Sequence, residues 1–190
     1  MKLNIQDFSR VQKSQFRRLG LLYILALCSI AAVIVIGQVM IQNHLRSQLS
    51  DSKTINIAGR QRMLSQKIAK LSLNIANSES LDFRNRIIKD LSLTLEQWQA
   101  AHSTLQQREN TQEIKELYHN IRPHYDSIYA SAKAMMKPGL SHGFLVLCAD
   151  QIGRHEGVFL QGMEEIVKSY EQIARHKVDD LRKKEYTVLA

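Results

Sequence analysis

Two patterns of apolar residues divide this chain. From Leu19 to Ile41 there are 23 residues without a charge, with Ser29, Gly37 and Gln38 as mild polar interruptions. A helix rises ~1.5 Å per residue, so such a run spans the ~30 Å hydrocarbon core of a bilayer. It is longer than the ~7–15-residue apolar region of a cleaved signal peptide, and no A-x-A site follows it. The run predicts a transmembrane helix that also serves as an uncleaved signal anchor. Beyond it the apolar residues become periodic, with helical spacing throughout and no convincing alternation of strand type.

Four periodic segments follow. In the first, Ile57, Leu64, Ile68, Leu71 and Ile75 mark an apolar stripe, and the cluster Asn77-Ser78-Glu79-Ser80 ends it. In the second the stripe is Ile88, Leu91, Leu95, Trp98, His102 and Leu105, followed by the polar link Arg108-Glu109-Asn110-Thr111. The third carries Ile114, Leu117, Ile121, Tyr125, Ile128 and Ala132, with Pro123 inside it as an expected kink and Lys137-Pro138-Gly139 as a stop. The fourth runs through Phe159, Met163, Ile166, Tyr170, Ile173 and Leu181. Amphipathic helices joined by short links bury their stripes most simply as an antiparallel bundle. The predicted fold is all-α: an N-terminal transmembrane helix followed by an antiparallel four-helix bundle. Four helices return the last beside the first. The closing residues 186–190 then read as the start of a second apolar run, so the chain is expected to be truncated before a second membrane helix.

Charge sets the orientation. Of the net charge of +8, half lies in residues 1–18, where Lys2, Arg10, Lys13, Arg17 and Arg18 face one acid, Asp7. The remainder is spread over mixed basic and acidic side chains. With Arg17 and Arg18 abutting the apolar run, the positive-inside rule makes residues 1–18 a cytoplasmic basic arm, residues 19–41 the span, and residues 42–190 an external domain. This explains the basic arm without nucleic acid. Two cysteines exclude a disulfide-rich scaffold. Cys28 falls in the span, and Cys148 is expected to be a small buried thiol. Two prolines and eight glycines are too few for an all-β chain with frequent tight turns.

The residues that call for a special explanation lie at 54–70, TINIAGRQRMLSQKIAK. Glycine costs about 1 kcal/mol relative to alanine inside a helix, yet Gly59 stands in one turn with Arg60 and Arg62. On a helix Ile55, Gly59, Arg62, Gln66, Ala69 and Leu73 share one stripe, distinct from the core stripe. Arg60 points about 200° away from Arg62, at 100° per residue, and shares its face with Lys67. Small residues around Arg62 suit a two-fold dimer, in which two facing guanidiniums repel unless an anion lies between them. The plain alternative is that both arginines are solvated surface charges.

The motif N-x-A-G-R-Q-R-M-L-S-Q-K, directly after a membrane helix, resembles the one that opens the type IV pili methyl-accepting chemotaxis transducer N-terminal domain. The nitrate/nitrite sensor kinases carry a shorter version. Residues 159–171 (FLQGMEEIVKSYE) and 177–182 (KVDDLR) resemble that family's last helix, and the likeness covers about residues 15–190. The resemblance implies a bacterial inner-membrane sensor, dimeric, with a periplasmic bundle between two membrane helices and an output domain such as a histidine kinase, a chemoreceptor signalling region or a diguanylate cyclase. In its nitrate-sensing members the ligand lies at the dimer interface. By that likeness Arg62 grips a small anion such as nitrate, with Gly59 close by. A second arginine of the motif is replaced by Lys67, which keeps the charge and loses the fork. Arg60 and Gln66 complete the candidate ligand-binding set.

Other chemistry is less well supported. The histidines at 44, 102, 119, 124, 142, 155 and 176 include no H-E-x-x-H pair, and His119 and His124 are five apart, a poor ligand spacing on a helix. No metal site and no cofactor is expected. Glu164 and Glu165 diverge by about 100° on a helix and do not form an acid/base pair. No nucleophile elbow, P-loop or kinase signature is present, so the chain is not expected to be an enzyme. The leading expectation is a membrane-bound sensory input domain. The alternative is a membrane-tethered bundle that binds a protein partner and no small molecule.

Overall fold

The computed structural model describes the backbone of residues 5–108 and 110–189, and the side chains of residues 16–108 and 110–183. Lys2, Arg10 and Lys13 of the basic arm, Glu109 of the second link and residues 186–190 lie outside the side chains so described. Among the described residues four helices make up the fold: α1 (Ile5–Ala76), α2 (Leu81–Gln106), α3 (Gln112–Met135) and α4 (His142–Leu189). Each predicted link falls between two of them. Ser80 caps α2 by accepting from the Phe83 N–H, Thr111 caps α3 through the Ile114 N–H, and Ser141 accepts from the Phe144 N–H at the start of α4. These hydroxyls serve donors that a helix start leaves unpaired. Gly139 turns the chain after α3 with φ 73°, a left-handed conformation open to glycine. Pro123 lies within α3, which continues through it.

The chain divides into two compact units, residues 1–49 and 50–190. In the first, α1 is long and apolar enough to cross a membrane, and its leucines, isoleucines and valines between Leu19 and Ile41 are exposed.

The second unit is the bundle. Antiparallel pairing is visible in its cross-contacts. Lys67 meets Asp90 while Arg60 meets Gln97, so α1 and α2 run in opposite senses. Arg62 meets Glu164 while Asp51 meets Lys177, which does the same for α1 and α4. On α3 and α4, Glu113 pairs with Ser169 and His124 with His155. The centre is aromatic. Trp98, fully buried, stands 4.3 Å from the Tyr125 ring and 5.1 Å from Phe159, ring centre to ring centre. His102 stacks on Tyr125 at 3.9 Å.

The buried faces follow the predicted stripes in the main, although Ile57 and Ile173 are half-buried at the margin of the core and Leu181, also half-buried, is not part of it. Ile87 rather than Ile88 opens the α2 stripe, and Tyr118 rather than Leu117 continues that of α3. Ile88 and Leu117 fit the same three-and-four spacing and pack half-buried at the margin of the core, so the packing of neighbouring helices rather than the period makes the choice. On α1 the buried seam is wider than an apolar reading shows. Thr54, Ala58, Gln61, Ser65, Ile68, Ser72 and Ile75 alternate at steps of four and three, with Leu64 and Leu71 beside them. Thr54, Ser65 and Ser72 return their hydroxyl protons to carbonyls of their own helix at 2.8–2.9 Å. That removes the cost of burying them. Cys148 is buried as expected, and burial pushes its thiol pKa up.

Candidate functional site

The structure distributes the five candidate residues over two sides of α1. Arg60 donates from Nη2 to Gln97 Oε1 at 3.1 Å, and Lys67 Nζ lies 2.7 Å from Asp90 Oδ1. Both partners are on α2, so these two cations share a face, as their spacing of seven requires. Arg62 lies on the α4 side, where its Nη1 is 2.5 Å from Glu164 Oε2. Gln66 is exposed, and an added Cβ at Gly59 would meet nothing within 4 Å.

Arg62 is neither a freely solvated charge nor a buried one. Its side chain is 43% exposed and that of Glu164 36%. The guanidinium Nε is buried and has no hydrogen-bond partner among the described residues. The other Glu164 oxygen faces Lys168 Nζ at 3.7 Å. One carboxylate thus stands between two cations, leaving one positive charge and several N–H donors on a surface with open space at Gly59. A guanidinium so placed can take a second acceptor without leaving the first. Met63 and Leu73, beside this stripe, are more than half exposed.

Gln61 was not among the predicted site residues. It is fully buried and donates to the Trp98 carbonyl at 2.8 Å, tying the motif to the aromatic centre. Its signal in the sequence was its place on the step-of-four-and-three seam, which a search for apolar residues alone passes over. Glu164 and Asp90 were missed as partners because nothing local to either reveals which helix it faces.

The family model described as "Type IV pili methyl-accepting chemotaxis transducer N-term" matches residues 44–142, more than half of the chain. The chain belongs to this family. No curated protein and no solved structure matches it. The match takes in all of the motif at 54–70 and the first three bundle helices, so Arg62, Gly59 and Lys67 lie within the transducer domain proper. The domain is the N-terminal sensory part of a chemotaxis transducer, and the long apolar stretch of α1 fits a membrane protein.

Proposed function

We propose that this transducer domain is the periplasmic sensory input of a bacterial inner-membrane receptor. It works as a homodimer, has its N-terminus in the cytoplasm, and takes up a small oxyanion at Arg62. The observation that carries the reading is Arg62 itself, a half-exposed guanidinium inside the family motif with open space over Gly59 one turn before it. A second copy laid on the stripe of Gly59, Arg62 and Gln66 would cover Met63 and Leu73 and bring two guanidiniums together. An oxyanion between them accepts from both forks. In the free protein Glu164 offsets part of the charge of each Arg62 within its own chain and is shared with Lys168. An arriving anion exchanges with that carboxylate or takes the remaining donors. Glu164 is on α4, so the exchange loosens α4 from α1. A small displacement between these two helices is the signal handed to an output domain such as a histidine kinase, a chemoreceptor signalling region or a diguanylate cyclase. The chain itself supplies no catalytic step.

Thermal unfolding of the full chain in detergent, with sodium nitrate or nitrite added against sodium chloride of equal strength, tests this. An anion at about 100 times its dissociation constant adds about 2.7 kcal/mol. Arg62→Ala should abolish the shift, and Arg62→Lys should lose most of it, since a point charge cannot reproduce a forked contact. Arg60→Ala should leave it intact. Glu164→Gln should bind more tightly at little cost in stability, because a half-exposed ion pair is worth about 0–1 kcal/mol. If Arg60→Ala is the damaging change and Arg62→Ala is silent, the anion site is on the α2 face. If no anion acts and the chain retains a protein partner instead, it is the partner-binding module.

A further inference from the structure

A second place in the bundle has the makings of a ligand site, at the end where α1 enters it. There a cavity of about 230 Å³ lies between the first turns of α1 after residue 50, the α2–α3 link and the later part of α4. Its polar lining is nearly all committed to neighbours. Both oxygens of Asp51 accept from Lys177 Nζ, at 2.9 and 3.0 Å. The Tyr170 hydroxyl donates to Asn110 Oδ1 at 2.7 Å, and the Asn110 amide donates to the Leu105 carbonyl. Thr54 donates to the Ser50 carbonyl.

The donors left over belong to two cations. A guanidinium has five N–H groups and an ammonium three. Among the described residues Arg108 engages one hydrogen-bond partner, Ser50 Oγ at 3.1 Å, and Lys177 engages only Asp51. Spare donors on two positive groups, with the acceptors already occupied, select a ligand that brings acceptors and negative charge. Ile114 and Ile173 add apolar wall, which suits a short hydrocarbon chain and gives nothing to a bare inorganic ion. The volume holds an acid of a few carbons.

We propose that this cavity binds a small monocarboxylate, its carboxylate on Arg108 and its carbon chain against Ile114 and Ile173. The site is separate from Arg62 and does not depend on the reading of that residue. Its walls come from α1 and α4 together, and the Asp51–Lys177 ion pair joins the same two helices across it. An occupant therefore fixes the offset between the first and last helices of the bundle.

The test is calorimetric titration of the full chain in detergent with sodium propionate and sodium lactate, against sodium chloride. Saturable binding at one site per chain is expected. Arg108→Ala should weaken it tenfold or more, Arg108→Lys less, and Ile173→Phe should block it by filling the cavity with Arg108 in place. Arg62→Ala should change the affinity far less than Arg108→Ala, because it touches the cavity only through the α1–α4 contact. The absence of saturable heat with both acids overturns the proposal. So does binding retained in both Arg108→Ala and Ile173→Phe, or binding lost in Arg62→Ala, which would move the carboxylate to the α1 motif. Nitrate dependence on Arg62 and carboxylate dependence on Arg108 can each fail without the other.

Discussion

At the scale of single residues, environment decides what each charge can do. Arg62 and Arg60 are two positions apart, and their partners lie on different helices, Glu164 of α4 and Gln97 of α2. The Glu164 contact means that Arg62 is not a bare guanidinium, since it has a counter-ion, shared with Lys168, in its own chain. His102 shows the opposite case, a titratable group made neutral. Burial lowers its pKa to about 4; Asp126 raises it, and Arg122 lowers it again, by smaller amounts. A pKa depressed in the folded chain means that folding favours the neutral imidazole. Its contribution is therefore complete above about pH 6.5 and is lost as pH falls from there toward 4. At pH 5 the loss is about 2 kcal/mol for such a shift. Thermal unfolding at pH 7 and pH 5 should show wild type losing more stability than His102→Phe by about that amount. Equal losses would mean that His102 is protonated without penalty.

At the scale of elements, the closest fit is between α3 and α4. A Cβ added to Gly162 would stand 2.1 Å from Ile121 Cγ2. That methyl sits one bond from a Cβ on a buried, branched side chain and cannot swing aside. In an exposed helix Gly→Ala gains about 1 kcal/mol. Here overpacking costs about 1–3 kcal/mol, so Gly162→Ala should destabilise the bundle. In an Ile121→Ala background the same change should become neutral or stabilising, a coupling that a double-mutant cycle on unfolding free energies reads directly. Additive effects would show that α3 and α4 relax apart at no cost. Gly162 stood out in the sequence only as part of a run resembling the family's last helix; its partner Ile121 came from the fold. The helix ends were more legible, because Ser80, Thr111 and Gly139 act on their own neighbours.

At the scale of the whole molecule, the apolar stretch of α1 calls for an apolar solvent, since its large side chains from Leu19 to Ile41 are exposed within its own unit. Lipid fits that need, since a helix meets its own backbone hydrogen-bonding needs there. In the orientation proposed above, Arg17 and Arg18 would hold the N-terminal side in the cytoplasm. A phosphatase reporter fused after residue 190 and expressed in bacteria should be active outside the cytoplasm, because one span carries the chain across. Activity confined to the cytoplasm would reverse the orientation and remove the periplasmic reading of the bundle with it.

Sequence alone was enough for everything set by short-range chemistry. The uncharged run predicts a span, the three-and-four spacing predicts four helices, the polar clusters mark their ends, and the motif at 54–70 points to the family. These features depend on residues within a few turns of one another, where backbone geometry is the same in any helical protein. What only the tertiary structure decided is partnership between helices. It set Arg62 against Glu164 and Lys67 against Asp90. It buried Gln61, Ser65 and Ser72 in a seam that the apolar pattern leaves unmarked, pressed Gly162 onto Ile121, and left Arg108 and Lys177 with spare donors around one cavity. Amphipathic pattern tells a helix which side to bury, but several rotations and neighbours satisfy it nearly equally. Packing of the aromatic centre around Trp98 selects one of them, and only then does a surface charge acquire its counterpart.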